Sequence, residues 1–142
     1  MPNQMKCGPS GGDGGEDFED ILPSAGKKIS EITVWYEDMV EAIHVSWSDD
    51  LASDKHGGGN DHSTSIQLAE DEYLVGISGR YGQGVDSISF VTTKQKYGPY
   101  GGNGGDVAYF YNVNPRFPEA HIIAFFGRAA KRIDAIGCVF SV

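Results

Sequence analysis

The chain is poor in basic residues, in cysteine and in long apolar runs. Lysine and arginine number 11 against 20 aspartates and glutamates, which gives a formal net charge of -9. Such a charge repels nucleic acids and anionic membranes. No run approaches the ~20 apolar residues of a membrane-spanning helix. We therefore expect no nucleic-acid partner and no membrane insertion.

Only two cysteines are present, Cys7 and Cys138, at opposite ends of the chain. The 142 residues suffice to bury a core without disulfides or metals. We expect two reduced, partly buried thiols. The alternative is a clip between the terminal strands, which requires Cα atoms within roughly 7 Å and is disfavoured in a reducing compartment.

The N-terminus lacks the apolar segment of a signal peptide. This predicts a cytoplasmic protein and leaves open secretion by an unconventional route or a cleaved precursor.

Signs of catalysis are also missing. The four histidines are scattered, and neither a Gly-x-Ser-x-Gly motif nor a phosphate-loop lysine is present. Asp54, His56, Asp61 and His62 are the sole metal-like cluster, and a polar loop explains them more simply. The sequence predicts no enzyme, no metal and no cofactor.

A threefold repeat runs through the chain. Three segments, 32–45, 74–90 and 122–139, each show an alternating apolar strand, a short break and a second strand that begins with an aliphatic residue followed by an acid. The acids are Glu41, Asp86 and Asp134, which lie 45 and 48 residues apart. This spacing indicates three similar units.

Glycine-rich runs form a second repeat. Residues 8–15 are echoed by residues 98–105, and residues 56–61 are a degenerate copy. The period is that of strands, and helical signals are poor. The pattern predicts one all-β domain over residues 1–142, a triangular prism or closed β structure, with residues 1–6 as a possible loose tail.

A glycine loop beside an acidic hairpin suits sugar hydroxyls. Glycine allows close approach to backbone N–H donors, and a carboxylate accepts two charge-assisted hydrogen bonds. Each net bond contributes about 1 kcal/mol. A single site would be weak, and repeated sites would act through avidity.

Three segments carry a family resemblance: residues 8–18, 71–79 and 126–137. They resemble jacalin-related lectins of the single-chain, mannose-binding type, over nearly the whole chain. The resemblance implies a β-prism I of three four-stranded antiparallel sheets with pseudo-threefold symmetry. It also implies metal-free carbohydrate binding at the end that bears the loops.

The family's main site, carried over to this sequence, pairs the first glycine loop with a turn near the C-terminus. Its residues are Gly15, Ala130, Lys131, Arg132 and Asp134. Ala130 stands where the family usually has glycine, which would cost on the order of 1 kcal/mol if that position required positive φ. We expect the side chains of Lys131 and Arg132 to point to solvent while their backbone binds.

A second site matches the full family motif at residues 82–86. Its predicted residues are Gln83, Gly84, Val85, Asp86 and Gly105. The third copy has glutamate in place of aspartate and a degenerate loop, so we expect it to be impaired. Its residues are Asp38, Met39, Glu41, Asn60 and Asp61.

The uncleaved N-terminal segment resembles that of members that prefer mannose or glucose. The resemblance also implies a homo-oligomer, with a dimer favoured. The alternative function is a protein-interaction module on a prism with decayed sugar sites, and the departure at Ala130 gives it weight.

Overall fold

The structure, a computed structural model, describes residues 3–59, 61–113, 116 and 119–142. Within these residues it consists of β-strands and connections without a helix, so no helical segment there could cross a membrane. The strands are β1 (Gln4–Gly11), β2 (Glu16–Glu19), β3 (Ile29–Tyr36), β4 (Val40–Trp47), β5 (His56–Gly57), β6 (Ser63–Gln67), β7 (Leu74–Tyr81), β8 (Val85–Thr92), β9 (Lys96–Gly101), β10 (Val107–Asn112), β11 (His121–Ala129) and β12 (Ile133–Ser141).

The strands form three four-stranded antiparallel sheets. The first sheet has the order β1-β12-β11-β2, the second β5-β4-β3-β6 and the third β10-β7-β8-β9. Each is built around one long hairpin, β11–β12, β3–β4 or β7–β8. These hairpins are the three sequence repeats. The predicted all-β class and the three four-stranded sheets are confirmed.

One core lies between the three sheets. Alternation along the strands turns one face of each sheet inward, so that Val34, Ile43, Phe90, Phe125 and Ile136 are at most 1% exposed. The rings of Phe90 and Phe125, from different sheets, meet edge to face with centroids 6.4 Å apart. Burial of side chains of this size contributes about 1.5–3 kcal/mol each.

The N-terminal segment corrects one expectation. Strand β1 begins at Gln4, which pairs with Ser141, and the N–H of Val142 donates to the carbonyl of Asn3 at 2.9 Å. Residues 4–6 are therefore part of a sheet and not a loose tail, because β12 offers them a row of backbone partners. Residues 1 and 2 lie outside the described residues.

The two cysteines are cross-strand neighbours. Cys7 lies opposite Cys138 in the β1–β12 pair, and both are free. Opposed residues of antiparallel strands have Cα atoms about 4.5–5.5 Å apart, which meets the distance condition of the clip. Burial raises the pKa of both thiols. Their thiolate fraction at neutral pH is correspondingly lowered.

Candidate functional site

Three hairpin turns and three glycine loops meet at one end of the prism, here called the loop end. Each loop is tied to one acid by the same backbone hydrogen bond. The N–H groups of Gly12, Gly102 and Gly58 donate to the carbonyl oxygens of Asp134, Asp86 and Glu41 at 2.9, 2.9 and 3.0 Å. The structure therefore brings together the predicted loop and acid in each copy. We name the three corners of the loop end after their acids.

In the Asp134 corner, the carboxylate lies against two glycines. A Cβ on Gly14 would be 2.8 Å from Asp134 Oδ1, and one on Gly15 would be 2.6 Å from Oδ2. Gly15 has φ of +70°, in the left-handed region that favours glycine. The Asp134 side chain is only 6% exposed. The loop thus holds this carboxylate in one orientation.

The Asp86 corner repeats this geometry. A Cβ on Gly104 would be 2.7 Å from Asp86 Oδ1, and one on Gly105, with φ of +91°, would be 2.7 Å from Oδ2. Gln83 is exposed at the tip of the turn. The Val85 side chain, in contrast, is 0% exposed in the core. Val85 was predicted as a site residue, and only its backbone can face a ligand.

Ala130 is accommodated without backbone strain. Among the described non-glycine residues, only Asp50 has positive φ. The N–H of Ala130 donates to the carbonyl of Arg132 at 3.1 Å, as that of Gly82 does to Gly84 at 3.0 Å. The expected penalty is therefore absent, because the turn uses a backbone conformation open to any residue. A Cβ on Gly82 would be in ordinary contact, 3.9 Å from Asp86 Oδ2.

Arg132 corrects a second expectation. Its Nε donates to Asp134 Oδ1 at 3.1 Å, and its Nη1 lies 3.2 Å from Sδ of Met39 in another hairpin. The side chain thus folds inward across the loop end instead of pointing to solvent, because a nearly buried carboxylate and a neighbouring hairpin offer it partners. Lys131 is exposed, as expected.

Two arginines that the sequence analysis missed hold the loops. Arg128 donates through Nε to the carbonyl of Gly14 at 3.0 Å and through Nη2 to that of Gly15 at 2.7 Å. Arg80 donates through Nε to the carbonyl of Gly105 at 3.0 Å. Each precedes the aspartate of its corner by six residues, at positions 128 and 134 and at positions 80 and 86. That repeated spacing was the signal available in the sequence.

The Glu41 corner keeps the loop but changes its partners. A Cβ on Gly59 would be 3.4 Å from Glu41 Oε1 and 2.9 Å from the Cβ of Trp35, which stands where the other copies have arginine. Lys55 supplies the missing donor, with Nζ 3.3 Å from the carbonyl of Gly59 and 4.2 Å from the Trp35 ring centroid. The predicted residue Asn60 lies outside the described residues.

The remaining predicted residues of this corner are Asp38, Met39 and Asp61, two of which are acidic like Glu41 itself. Asp38 and Asp61 are exposed, and Met39 is half-buried against Arg132. A like charge near an acceptor carboxylate adds repulsion and no donor. That sugar binding is impaired at the Glu41 corner stays a prediction.

The metal-like cluster is divided between two environments. His56 Nε2 lies 2.6 Å from Asp20 Oδ1, and its ring stacks on Phe18 at 4.2 Å. His62 packs on Tyr36, with ring centroids 4.4 Å apart. In the part of the chain that the structure describes, no group of three or more His, Cys, Asp or Glu residues could hold a metal.

Sequence comparison gives a match to the Jacalin-like lectin domain over residues 7–139. An agglutinin of Castanea crenata is 36% identical and matches 96% of this chain, which spans only 47% of that relative. Jacalin-related lectin 19 of Arabidopsis thaliana is 32% identical, covering 92% of this chain and 76% of its own length. The jacalin-related lectin Calsepa of Calystegia sepium is 32% identical, covering 96% and 95%.

Solved structures show the same fold. Artocarpin in complex with mannotriose aligns with a TM-score of 0.85 at 27% identity, over 98% of each chain. A mannose-specific jacalin-related lectin from Morus nigra, in complex with mannose, aligns with a TM-score of 0.85 at 26% identity, over 100% of this chain and 97% of that one. The predicted β-prism I is confirmed. The chain belongs to the jacalin-related lectins, which are carbohydrate-binding proteins and not enzymes.

Proposed function

We propose that this lectin binds mannose- and glucose-containing glycans at two corners of the loop end, one at Gly15 and Asp134 and one at Gly105 and Asp86. One observation carries the proposal: the prism builds the same cradle of a carboxylate against two glycines twice. In both copies, a Cβ added to either glycine would lie between 2.6 and 2.8 Å from a carboxylate oxygen. The sequence alone offered a complete motif at one corner and an altered one at the other.

The chemistry of each cradle suits a pair of adjacent hydroxyls. The aspartate accepts hydrogen bonds from sugar hydroxyls, and backbone N–H groups of the turn donate to sugar oxygens. Three or four net bonds at about 1 kcal/mol each correspond to roughly millimolar affinity for a monosaccharide. Two corners on one rigid body strengthen binding to branched glycans when both are engaged.

Preference for mannose and glucose is supported by relatives. A lectin of Parkia platycephala named as mannose/glucose-specific is 27% identical over 96% of this chain, and the Morus nigra structure contains mannose. We infer the same preference for this chain.

The alternative of an interaction module with decayed sites drew its weight from the substitution at Ala130. The backbone strain expected there is absent, because the φ of Ala130 is not positive. A glycan array remains the direct comparison between the two functions. We expect signals on mannose- and glucose-containing glycans, whereas silence of a folded sample would favour the interaction module.

Mannose titration by calorimetry and amide NMR tests the proposal. We expect Asp86→Asn and Asp134→Asn each to remove one site, and the double variant to remove both, because an amide provides one acceptor and no charge. Asp71→Asn is the matched control, because Asp71 pairs with Lys94 at 2.7 Å near the start of β7, away from the loop end. A folded double variant that binds mannose like the unaltered protein would refute the proposal.

Assembly and location are separate proposals. We infer a homodimer, which light scattering coupled to size exclusion would detect as twice the 15.3 kDa chain mass. We also infer a cytoplasmic location, which fractionation of the source tissue would test.

A further inference from the structure

We propose that Arg132 makes the two sugar corners unequal. It occupies the Asp134 carboxylate as an internal competitor of sugar hydroxyls, so that the Asp86 corner is the stronger site for neutral sugars. This inference rests on the proposed function and names the residue that sets the relative affinity of its two sites.

The starting observation is one position in three copies. Two residues before the acid, the copies have Arg132, Gly84 and Met39. These three residues meet at the centre of the loop end. A Cβ on Gly84 would be 2.9 Å from Cζ of Arg132 and 3.0 Å from Cε of Met39. The side chain that Gly84 lacks is what leaves room for the guanidinium.

From this position Arg132 reaches back to its own acid. Its Nε lies 3.1 Å from Asp134 Oδ1, with the Asp134 side chain 6% and the Arg132 side chain 37% exposed. Gly84 can give Asp86 no such partner. Within the described residues, no side chain forms a hydrogen bond or ion pair with the Asp86 carboxylate. The two acids therefore differ in their partners.

Arg132 is not needed to orient the carboxylate. Cβ atoms added to the two loop glycines would lie 2.8 and 2.6 Å from the carboxylate oxygens of Asp134. The corresponding distances to the oxygens of Asp86 are both 2.7 Å. Asp86 reaches the same position without an arginine. What Arg132 adds is therefore a donor on Oδ1 and a positive charge beside it.

Both additions weaken the carboxylate as an acceptor of sugar hydroxyls. Hydrogen bonds to an ionised acceptor are roughly twice as strong as neutral ones, and a neighbouring guanidinium offsets that charge. A sugar at Asp134 must share Oδ1 with Arg132 or displace it. The loss of one net hydrogen bond lowers affinity about fivefold.

The test compares variants that each keep a single corner. In an Asp86→Asn chain, where only the Asp134 corner remains, we expect Arg132→Met to raise mannose affinity about fivefold. Methionine is the replacement because Met39 occupies the same position in another copy. Lys94→Met removes one charge at the opposite end of the prism and serves as control. Unchanged or lower affinity with intact folding would overturn the proposal.

A second readout follows the guanidinium directly. In the unaltered protein, amide signals of the Asp86 corner are expected to shift at lower mannose concentration than those of the Asp134 corner. The Arg132 Nε–H signal is expected to move only together with the latter. Equal midpoints at the two corners, or an equal rise at both in the Arg132→Met chain, would overturn the inference.

Failure of this inference is distinguishable from failure of the proposed function. Two corners that bind mannose with equal affinity contradict the role of Arg132 and leave the lectin sites intact. A chain that shows no mannose response at either corner contradicts both.

Discussion

At the residue scale, Gly15 illustrates how the loop and the carboxylate depend on each other. Its φ is +70°, and a Cβ there would be 2.6 Å from Asp134 Oδ2 and 2.7 Å from the carbonyl carbon of Ala129. Its role therefore has two parts: a left-handed backbone and an empty space that the carboxylate fills. Gly26 shares only the first part: its φ is +81°, and a Cβ added there would have no atom within 4 Å beyond its chain neighbours.

These two glycines give a matched prediction. Gly26→Ala should lower the free energy of unfolding by about 1 kcal/mol, because alanine is strained at positive φ. Gly15→Ala should lower it by more, because its Cβ would also overlap the Ala129 backbone and the Asp134 carboxylate. Only Gly15→Ala should also abolish mannose binding at the Asp134 corner. Urea unfolding and mannose titration of both variants provide the measurement. Undiminished binding by a folded Gly15→Ala chain would show that the loop does not form the site.

At the element scale, Glu72 joins several segments at the end of the prism opposite the loop end. Its carboxylate accepts hydrogen bonds from Thr92 at 2.6 Å, from Tyr97 at 2.9 Å and from the N–H of Ala69 at 3.0 Å, and its carbonyl accepts one from Lys28 at 2.7 Å. The residue is 3% exposed. Burial alone would raise the pKa of Glu72, but these donors outweigh it and lower the pKa below its usual value.

A pH dependence follows from this lowered pKa. The stabilisation by Glu72 is fully present above its unfolded pKa of about 4.3 and is lost as the pH falls through the lower folded value. Glu72→Gln should cost about 1–3 kcal/mol at pH 7. The difference from the unaltered protein should shrink below pH of about 4. Urea unfolding across pH 3–7 checks this, and a difference that grows towards acid would contradict it.

At the scale of the whole molecule, the glycine loops join the three units into a ring. Besides contacting the acid of its own corner, each loop packs on the turn of another hairpin. A Cβ on Gly12 would lie 2.0 Å from the carbonyl oxygen of Gln83, one on Gly102 2.2 Å from that of Asp38, and one on Gly58 2.5 Å from that of Lys131. The loop end is therefore one packed unit and not three separate corners.

This packing predicts a global effect from one methyl group. Gly102→Ala should lower the free energy of unfolding by about 1–3 kcal/mol in a single transition, because its Cβ meets rigid backbone. Gly82→Ala, whose Cβ would be 3.9 Å from its nearest neighbour, is the control. It should be neutral or stabilising by up to about 1 kcal/mol. Equal stability of the two variants in urea unfolding would contradict the ring of contacts.

Much of the architecture follows from patterns within short segments of the chain, and such patterns can be recognised in the sequence. Period-two alternation fixes which residues of a strand face inward, and three copies of one hairpin pattern require three similar sheets. The acids and glycine loops repeat with the same period, but the pairing of Gly15 with Asp134, and by symmetry of Gly105 with Asp86, came from the family resemblance and not from the spacing.

Other features depend on how the copies meet. The inward fold of Arg132 requires the space at Gly84 and the thioether of Met39, residues that are 48 and 93 positions away along the chain. The hydrogen bonds from Arg128 to the carbonyls of Gly14 and Gly15 likewise join segments more than 100 residues apart. A repeat pattern specifies the backbone of each copy but not which side chain enters the space that another copy leaves empty. The sequence, together with its family resemblance, therefore determined the prism and the residues that form its three loop-end corners, and only the tertiary structure decided how those corners differ, because contacts between copies are not encoded in the repeat of any one copy.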